Sequence, residues 1–175
     1  MNHLATSKED ILAASRDLIK ENGWAAVSIR AVASRCSVSA GTIYNYYESK
    51  ADLLSDTIES IWHEIFFHPE DEQIFHDVET CISWIYERLE YGNRQFPGFF
   101  SLHSFGFMRD EKTSGKKRMM KTWGHILNGL CEVLENDPKV RADVFDQEFT
   151  EKKFADILFS LILVSMIRQD YDPSS

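Results

Sequence analysis

The chain has 175 residues, 43% of them hydrophobic and 27% charged, with a formal net charge of −9. This length makes one large domain or two small ones with a buried core, and the acidic balance excludes a surface that binds nucleic acid all over. The charge is uneven: residues 1–50 hold six Lys or Arg against five Asp or Glu, and the remainder holds 13 against 23, so any contact with phosphates must be concentrated in the N-terminal third.

Eight glycines and four prolines favour long helices over many strands and turns. The apolar run ILFSLILVSMI (Ile157–Ile167) is shorter than the roughly 18 residues that cross a membrane, and reads as a buried helix. No basic stretch followed by an apolar run opens the chain, so no secretory signal is expected and a cytoplasmic location is. Cys36, Cys81 and Cys131 are odd in number and form no CxxC pair. They read as reduced, buried cysteines rather than a disulfide frame or a thiolate metal site.

In chain order, Ser7-Lys8-Glu9-Asp10 has the form of a capping box. Ile11, Leu12, Ala14, Leu18 and Ile19 follow at helical spacing, and Asn22-Gly23 stops the helix, with the glycine expected in the left-handed conformation. A second, short helix starts with Ser28 as cap and buries Ile29, Val32 and Ala33. Arg35–Val38 is a tight turn with Val38 inward. Ser39 caps a third helix, and Ser49, with Asp52 three residues on, caps a fourth. Three short helices in under fifty residues, the second and third joined by a tight turn, describe a helix-turn-helix.

At about 100° per residue, Ile43 and Tyr47 share one face of the third helix, with Ala40 near its edge. Gly41, Thr42, Tyr44 and Asn45 turn away from that face. A helix entering the major groove needs this arrangement: a residue without a side chain for close approach, then donors and acceptors for base edges and phosphates. Lys50, at the start of the fourth helix, adds a cation to unpaired N–H groups, a suitable clamp for phosphate.

From Lys50 onward the periodicity predicts a helix over about 50–67, with Leu54, Ile58, Ile61 and Ile65 inward, ending before Pro69. His68–Gln73 is an acidic connector. Helices over about 74–92, 114–135 and 151–170 follow, with a short irregular one near Pro97–Met108 and a linker holding Pro138. No strand pattern competes, so the fold class is all-α. The expected domains are a helix-turn-helix head over 1–49 and a helical body over 50–175.

SIRAVASRCSVSAGTIYNYYESKADLL (Ser28–Leu54) closely resembles the DNA-binding signature of TetR-family transcriptional regulators. The matching positions are Ser28, Val32-Ala33, Val38-Ser39, Gly41, Ile43-Tyr44, Tyr46-Tyr47 and Lys50. Ile11–Trp24 is similar to the family's first helix and its Gly-aromatic stop. Cys36-Ser37 stands where the family often has Ala-Gly, and Tyr47 where it often has Phe. The resemblance implies phosphate contacts from Ser28, Tyr44 and Lys50, base or groove-edge contacts from Arg30, Ser39, Thr42 and Asn45, and either role for Tyr46, with Tyr47 in the core.

The resemblance also implies a body that binds a small-molecule effector and forms a homodimer on a near-palindromic DNA operator. The richest stretch for a cavity wall is Phe96–Met108, where Pro97 and Gly98 prevent a regular helix and aromatic side chains with a few polar ones suit a ligand. Candidate lining residues are Trp62, Phe66, Trp84, Arg88, Phe99, Phe100, His103, Phe107, Met120, Trp123 and Asn128. His63, His68, His76, His103 and His125 lack a metal-ligand spacing. No nucleophile–base–acid set points to an enzyme, and no cofactor is implied.

The expected function is a ligand-responsive transcriptional regulator, a repressor released from its operator by a small molecule. The alternative is a DNA-anchored interaction protein whose acidic body recruits a protein partner without an effector. The family usually finishes with two long helices that pair across the dimer axis, whereas Gln169–Ser175 is short. Either the final family helix is missing or the dimer is built differently; if that helix is missing, apolar surface on Phe159–Ile167 is expected to be exposed.

Overall fold

A computed structural model of the chain describes residues 6–66, 76–100, 114–141 and 143–172, with the backbone alone for 114–122. The elements are α1 (Lys8–Asn22), a 3-10 turn (Trp24–Ala26), α2 (Ile29–Arg35), α3 (Ala40–Tyr44), α4 (Lys50–Phe66), α5 (Val78–Gln95), α6 (Ser114–Asn136) and α7 (Glu151–Arg168). No strand occurs among the described residues, and the fold is all-α. Two compact units form: Met1–Glu64 with Gln95–Gly98, and Ile65–Arg94 with Phe99–Ser175.

The head's helices begin where serine oxygens take orphan amides. Ser7 Oγ accepts from Asp10 N–H at 3.1 Å, and the Asp10 carboxylate accepts from Ser7 N–H at 2.8 Å, closing the capping box. Ser28 caps Ala31 at 3.1 Å, Ser39 caps Thr42 at 3.2 Å and Ser49 caps Asp52 at 3.2 Å. Gly23 ends α1 by donating to the Ile19 carbonyl at 2.8 Å. Its φ of 75° and ψ of 178° place it not in the expected left-handed helical region but in the extended region at positive φ, which is essentially glycine's alone.

The turn between α2 and α3 is a Schellman motif. Ser37 N–H donates to the Ser34 carbonyl at 3.1 Å and Val38 N–H to the Ala33 carbonyl at 2.9 Å, the two crossed bonds that close a helix C-terminus. Ser37 sits at φ 56°, where a Cβ is crowded by the backbone. Serine occupies the position at which the resembling family often has glycine, and the head retains that strain.

The first unit's core is built from Ile11, Ile19, Val27, Val32, Ile43, Tyr47, Leu53 and Ile61, all buried. Three expectations need correction. Val38, Leu54 and Ile58 are half-buried rather than inward. On α4 the buried row is Leu53, Thr57, Ile61 and Ile65, at intervals of four. Thr57 hides this row from a hydropathy reading: its hydroxyl donates to the Leu53 carbonyl at 2.7 Å, which lets a polar residue sit in the core.

In the second unit α6 packs on α7, with Trp123 edge-on to Phe159 at 5.6 Å and Leu130, Val133, Ala155, Ile162 and Met166 buried. α5 starts at Val78 rather than near 74 because two aspartates cap it. Asp77 accepts from Thr80 N–H and hydroxyl at 2.9 and 2.8 Å. The buried Asp137, 59 positions further along the chain, accepts from Val78 N–H at 2.9 Å. Gly92 lets α5 pass closely: a Cβ there would lie 2.6 Å from Ile65 Cδ1 and 2.9 Å from Phe100 Cζ. Of the three free cysteines only Cys81 is buried, where desolvation pushes its thiol up to about 11. Cys36 and Cys131 are half-buried, against the expectation that all three are enclosed.

Two outcomes are expected. Ser37→Gly relieves the left-handed serine and raises stability in urea unfolding by about 1 kcal/mol. Acid sensitivity follows from three carboxylates held below their ordinary values: Asp10 by the Ser7 hydroxyl and amide, Glu21 by the Arg35 guanidinium, and Asp77 by the Thr80 amide and hydroxyl. Because the folded values are depressed, their contribution is complete above about pH 4 and is lost as pH falls through those depressed values. A melting temperature that stays flat from pH 7 to just above 4 and then drops is the expected profile.

Candidate nucleic-acid interface

The five residues of α3 are too few to hold a helix by backbone hydrogen bonds alone, and buried side chains fasten this one. Ile43 is fully enclosed and Tyr47, just past its end, is 4% exposed. The remaining positions stay accessible: Gly41, Tyr44 and Asn45 are exposed, with Tyr44 at 55%, and Thr42 is half-buried. Ser39 Oγ and Thr42 Oγ1 lie 3.1 Å apart and share a hydrogen bond.

Gly41 has no internal reason to be glycine. Its φ is not positive, and a Cβ there would meet only Ser39 Oγ at 3.6 Å, an ordinary contact. The absent side chain leaves the backbone of α3 open to close approach at this exposed position.

The cations sort themselves by pairing. Lys8 pairs with Asp56 at 2.6 Å, Arg16 with Glu9 at 2.9 Å and Glu64 at 3.0 Å, and Lys20 with Glu64 at 2.6 Å. Arg35 forks onto Glu21 at 2.5 and 2.7 Å. Arg30 at the start of α2 and Lys50 at the start of α4 are exposed and have no carboxylate partner among the described residues. Of the six cations in residues 1–50, these two are the ones without an ion pair among the described residues.

Ser28 spends its acceptor on Ala31 N–H and keeps its O–H to donate. The expected open helix start at Lys50 is partly self-satisfied, since Ser49 and Asp52 cap each other there. Tyr46 is half-buried and donates its hydroxyl to the Thr6 carbonyl at 2.6 Å, a bond across 40 positions that no local signal announces.

The residues suggested for an effector wall are divided between the two units. Trp62, half-buried, belongs to the first unit. In the second, Phe66 meets Trp84 edge-on at 6.0 Å, Phe99 meets Phe100 at 5.2 Å, and Phe100 lies 6.4 Å from Tyr171. Arg88 donates to the Ile65 carbonyl and stacks 4.4 Å over Tyr91, which satisfies an orphan carbonyl at the end of α4. Asn128 is exposed and Trp123 half-buried. His103, Phe107 and the Met120 side chain lie outside the described residues. Sequence spacing did not single out Tyr86, whose hydroxyl is 3.0 Å from Ser165 Oγ, or Tyr171, whose hydroxyl is buried with no hydrogen-bond partner among the described residues and pushed up to about 12 by burial. Among the described residues no group of three His, Cys, Asp or Glu could hold a metal, and no helix is long and apolar enough to cross a membrane.

Residues 11–57 match the family model described as bacterial regulatory proteins, tetR family. The HTH-type transcriptional regulator UidR of Escherichia coli (strain K12) is 38% identical over 48 residues, which cover 27% of this chain and 24% of the relative. Three solved structures share the fold over most of the chain, each at 18% identity. A transcriptional regulator from Rhodococcus sp. Rha1 superposes with a TM-score of 0.62 over 97% of this chain and 86% of its own. NalD, the secondary repressor of the MexAB-OprM multidrug efflux pump in Pseudomonas aeruginosa, gives 0.56 over 95% and 85%. FadR from Bacillus subtilis, in complex with stearoyl-CoA, gives 0.56 over 93% and 86%.

If Gly41 serves close approach, Gly41→Ala leaves thermal stability unchanged or raises it by less than about 1 kcal/mol, yet weakens duplex binding at least about tenfold. Lys50→Ala weakens binding to all sequences alike and flattens the salt dependence by about one unit. Fluorescence-anisotropy titrations at several salt concentrations measure both.

Proposed function

We propose that this chain is a regulator of the TetR kind, a homodimeric repressor that reads a near-palindromic operator and is released from it by a small molecule, a reading supported by the match of residues 11–57 to that family's model. The observation that carries the reading is the accessible side of α3, where Gly41, Tyr44 and Asn45 are exposed and the unpaired Arg30 and Lys50 lie close by in sequence. Asn45 would read a base edge, Tyr44 and Ser28 would donate to phosphates, and Lys50 would clamp one. Two such heads would enter successive major grooves about 34–36 Å apart.

The second face of α7 supports the dimer. Ala155, Phe159, Ile162 and Met166 are buried, while Ile157, Leu161, Val164 and Ile167 are 48%, 55%, 40% and 46% exposed. This exposed row recurs at intervals of four and three, the period of a helix seam, and a second copy of the same helix would cover it. For the effector, the aromatic second unit favours an apolar molecule, in keeping with the acyl chain that FadR binds. An effector that prefers one setting of the body would change operator affinity by about 5- to 150-fold.

Selection of bound duplexes from a random pool tests the reading, the expected product being an inverted repeat with fixed half-site spacing. Leu161→Glu should give a monomer by light scattering and cost at least about tenfold in affinity for that repeat, with the helical circular dichroism unchanged. Titrating the operator complex with stearoyl-CoA and a panel of apolar compounds tests release. Compounds that bind the protein but leave operator affinity unmoved would favour the DNA-anchored interaction protein instead.

A further inference from the structure

We propose that Tyr46 is a positioning residue that fastens the reading helix to the start of α1, not a residue that touches DNA. The inference rests on the DNA-reading role proposed above and changes the task of one tyrosine within it. A phenol carries one proton, and that proton is already committed: Tyr46 Oη donates to the Thr6 carbonyl at 2.6 Å. A phosphate oxygen only accepts, so Tyr46 cannot bind one while this bond stands.

The bond is not isolated. Thr6 is 7% exposed, so the acceptor lies in packed surroundings rather than on a loose end. The adjoining turn of α1 has two further ties to the same stretch of chain. Lys8 Nζ lies 5.6 Å from the centroid of the Tyr47 ring and 2.6 Å from the Asp56 carboxylate on α4. Tyr46 and Tyr47 therefore hold one target from adjacent positions, one by a hydrogen bond and the other beneath a cation. The neighbouring Ser7 is held by the Asp10 carboxylate, so the clamp closes on a rigid helix start. A helix of five residues needs such outside fixing, and the setting of α3 against α1 determines where Thr42, Tyr44 and Asn45 lie.

Tyr44 supplies the control. It is 55% exposed, and its hydroxyl has no hydrogen-bond partner among the described residues. Tyr46→Phe and Tyr44→Phe each remove a single oxygen and keep the ring. In the full-length protein without DNA, Tyr46→Phe should lower the melting temperature and raise amide exchange in the first turn of α1 by about three- to tenfold, whereas Tyr44→Phe should change neither. Against the selected inverted repeat and a random-sequence duplex, Tyr46→Phe should lose affinity only for the repeat. Tyr44→Phe should lose the same factor on both.

An unchanged melt and exchange pattern for Tyr46→Phe, with equal loss on both duplexes, would make it a phosphate contact and overturn the proposal. So would indistinguishable behaviour of the two variants. If the wild-type chain selects no duplex, the DNA-reading role falls by itself, and the melt and exchange measurements still decide whether the clamp exists.

Discussion

A five-residue helix has no independent existence in water, so everything the head can do depends on how α3 is held. Nucleating a helical turn fixes several dihedral angles for one hydrogen bond, and five residues offer almost none of the propagation that offsets this. Burial of Ile43 and Tyr47 supplies what the backbone cannot. A fully enclosed Ile43 contributes about 1.5–3 kcal/mol, more than a helix this short gains from its caps. The Schellman turn at Ser37–Val38 sets the angle at which α3 leaves α2, and the serine caps spare its amides from competing structures. Accessible and buried positions on α3 then divide by geometry: whatever does not pack into the head is left accessible.

Electrostatics narrows that surface further. Exposed ion pairs are worth little in stability, about 0–1 kcal/mol each, yet they matter here by subtraction. Lys8, Arg16, Lys20 and Arg35 pair with carboxylates of the same unit, which leaves Arg30 and Lys50 as the head's cations without an ion pair among the described residues. In a chain of net charge −9, two uncompensated cations on the starts of α2 and α4 give the field a place as well as a sign.

The second unit shows a different economy. α7 is apolar on two sides, one closed against α6 and one open. The open row leaves Ile157, Leu161, Val164 and Ile167 exposed. The same unit relies on long-range capping: Asp137 satisfies the first amide of α5 from the far end of α6, so the loop after α6 and the start of α5 stand or fall together.

The sequence by itself determined the all-helical class, the capping box at Ser7, the helix-turn-helix and the exposure of Gly41, Tyr44 and Asn45, because these follow from spacing and local hydrogen bonding within a few residues. The apolar character of Ile157–Ile167 was legible too, but its division was not: which residues meet α6 depends on the partner helix. Tertiary structure alone decided that Leu53 and Thr57, not Leu54 and Ile58, complete the buried row of α4, since a threonine becomes a core residue only when its hydroxyl finds the Leu53 carbonyl. It alone committed Tyr46 to Thr6, Arg88 to the end of α4, and four of six cations to internal carboxylates. Tyr46–Thr6, Arg88–Ile65 and Lys20–Glu64 join residues 40, 23 and 44 positions apart, beyond the reach of any helical period. A linear pattern states what a side chain can bond; only the folded chain states what it has already bonded.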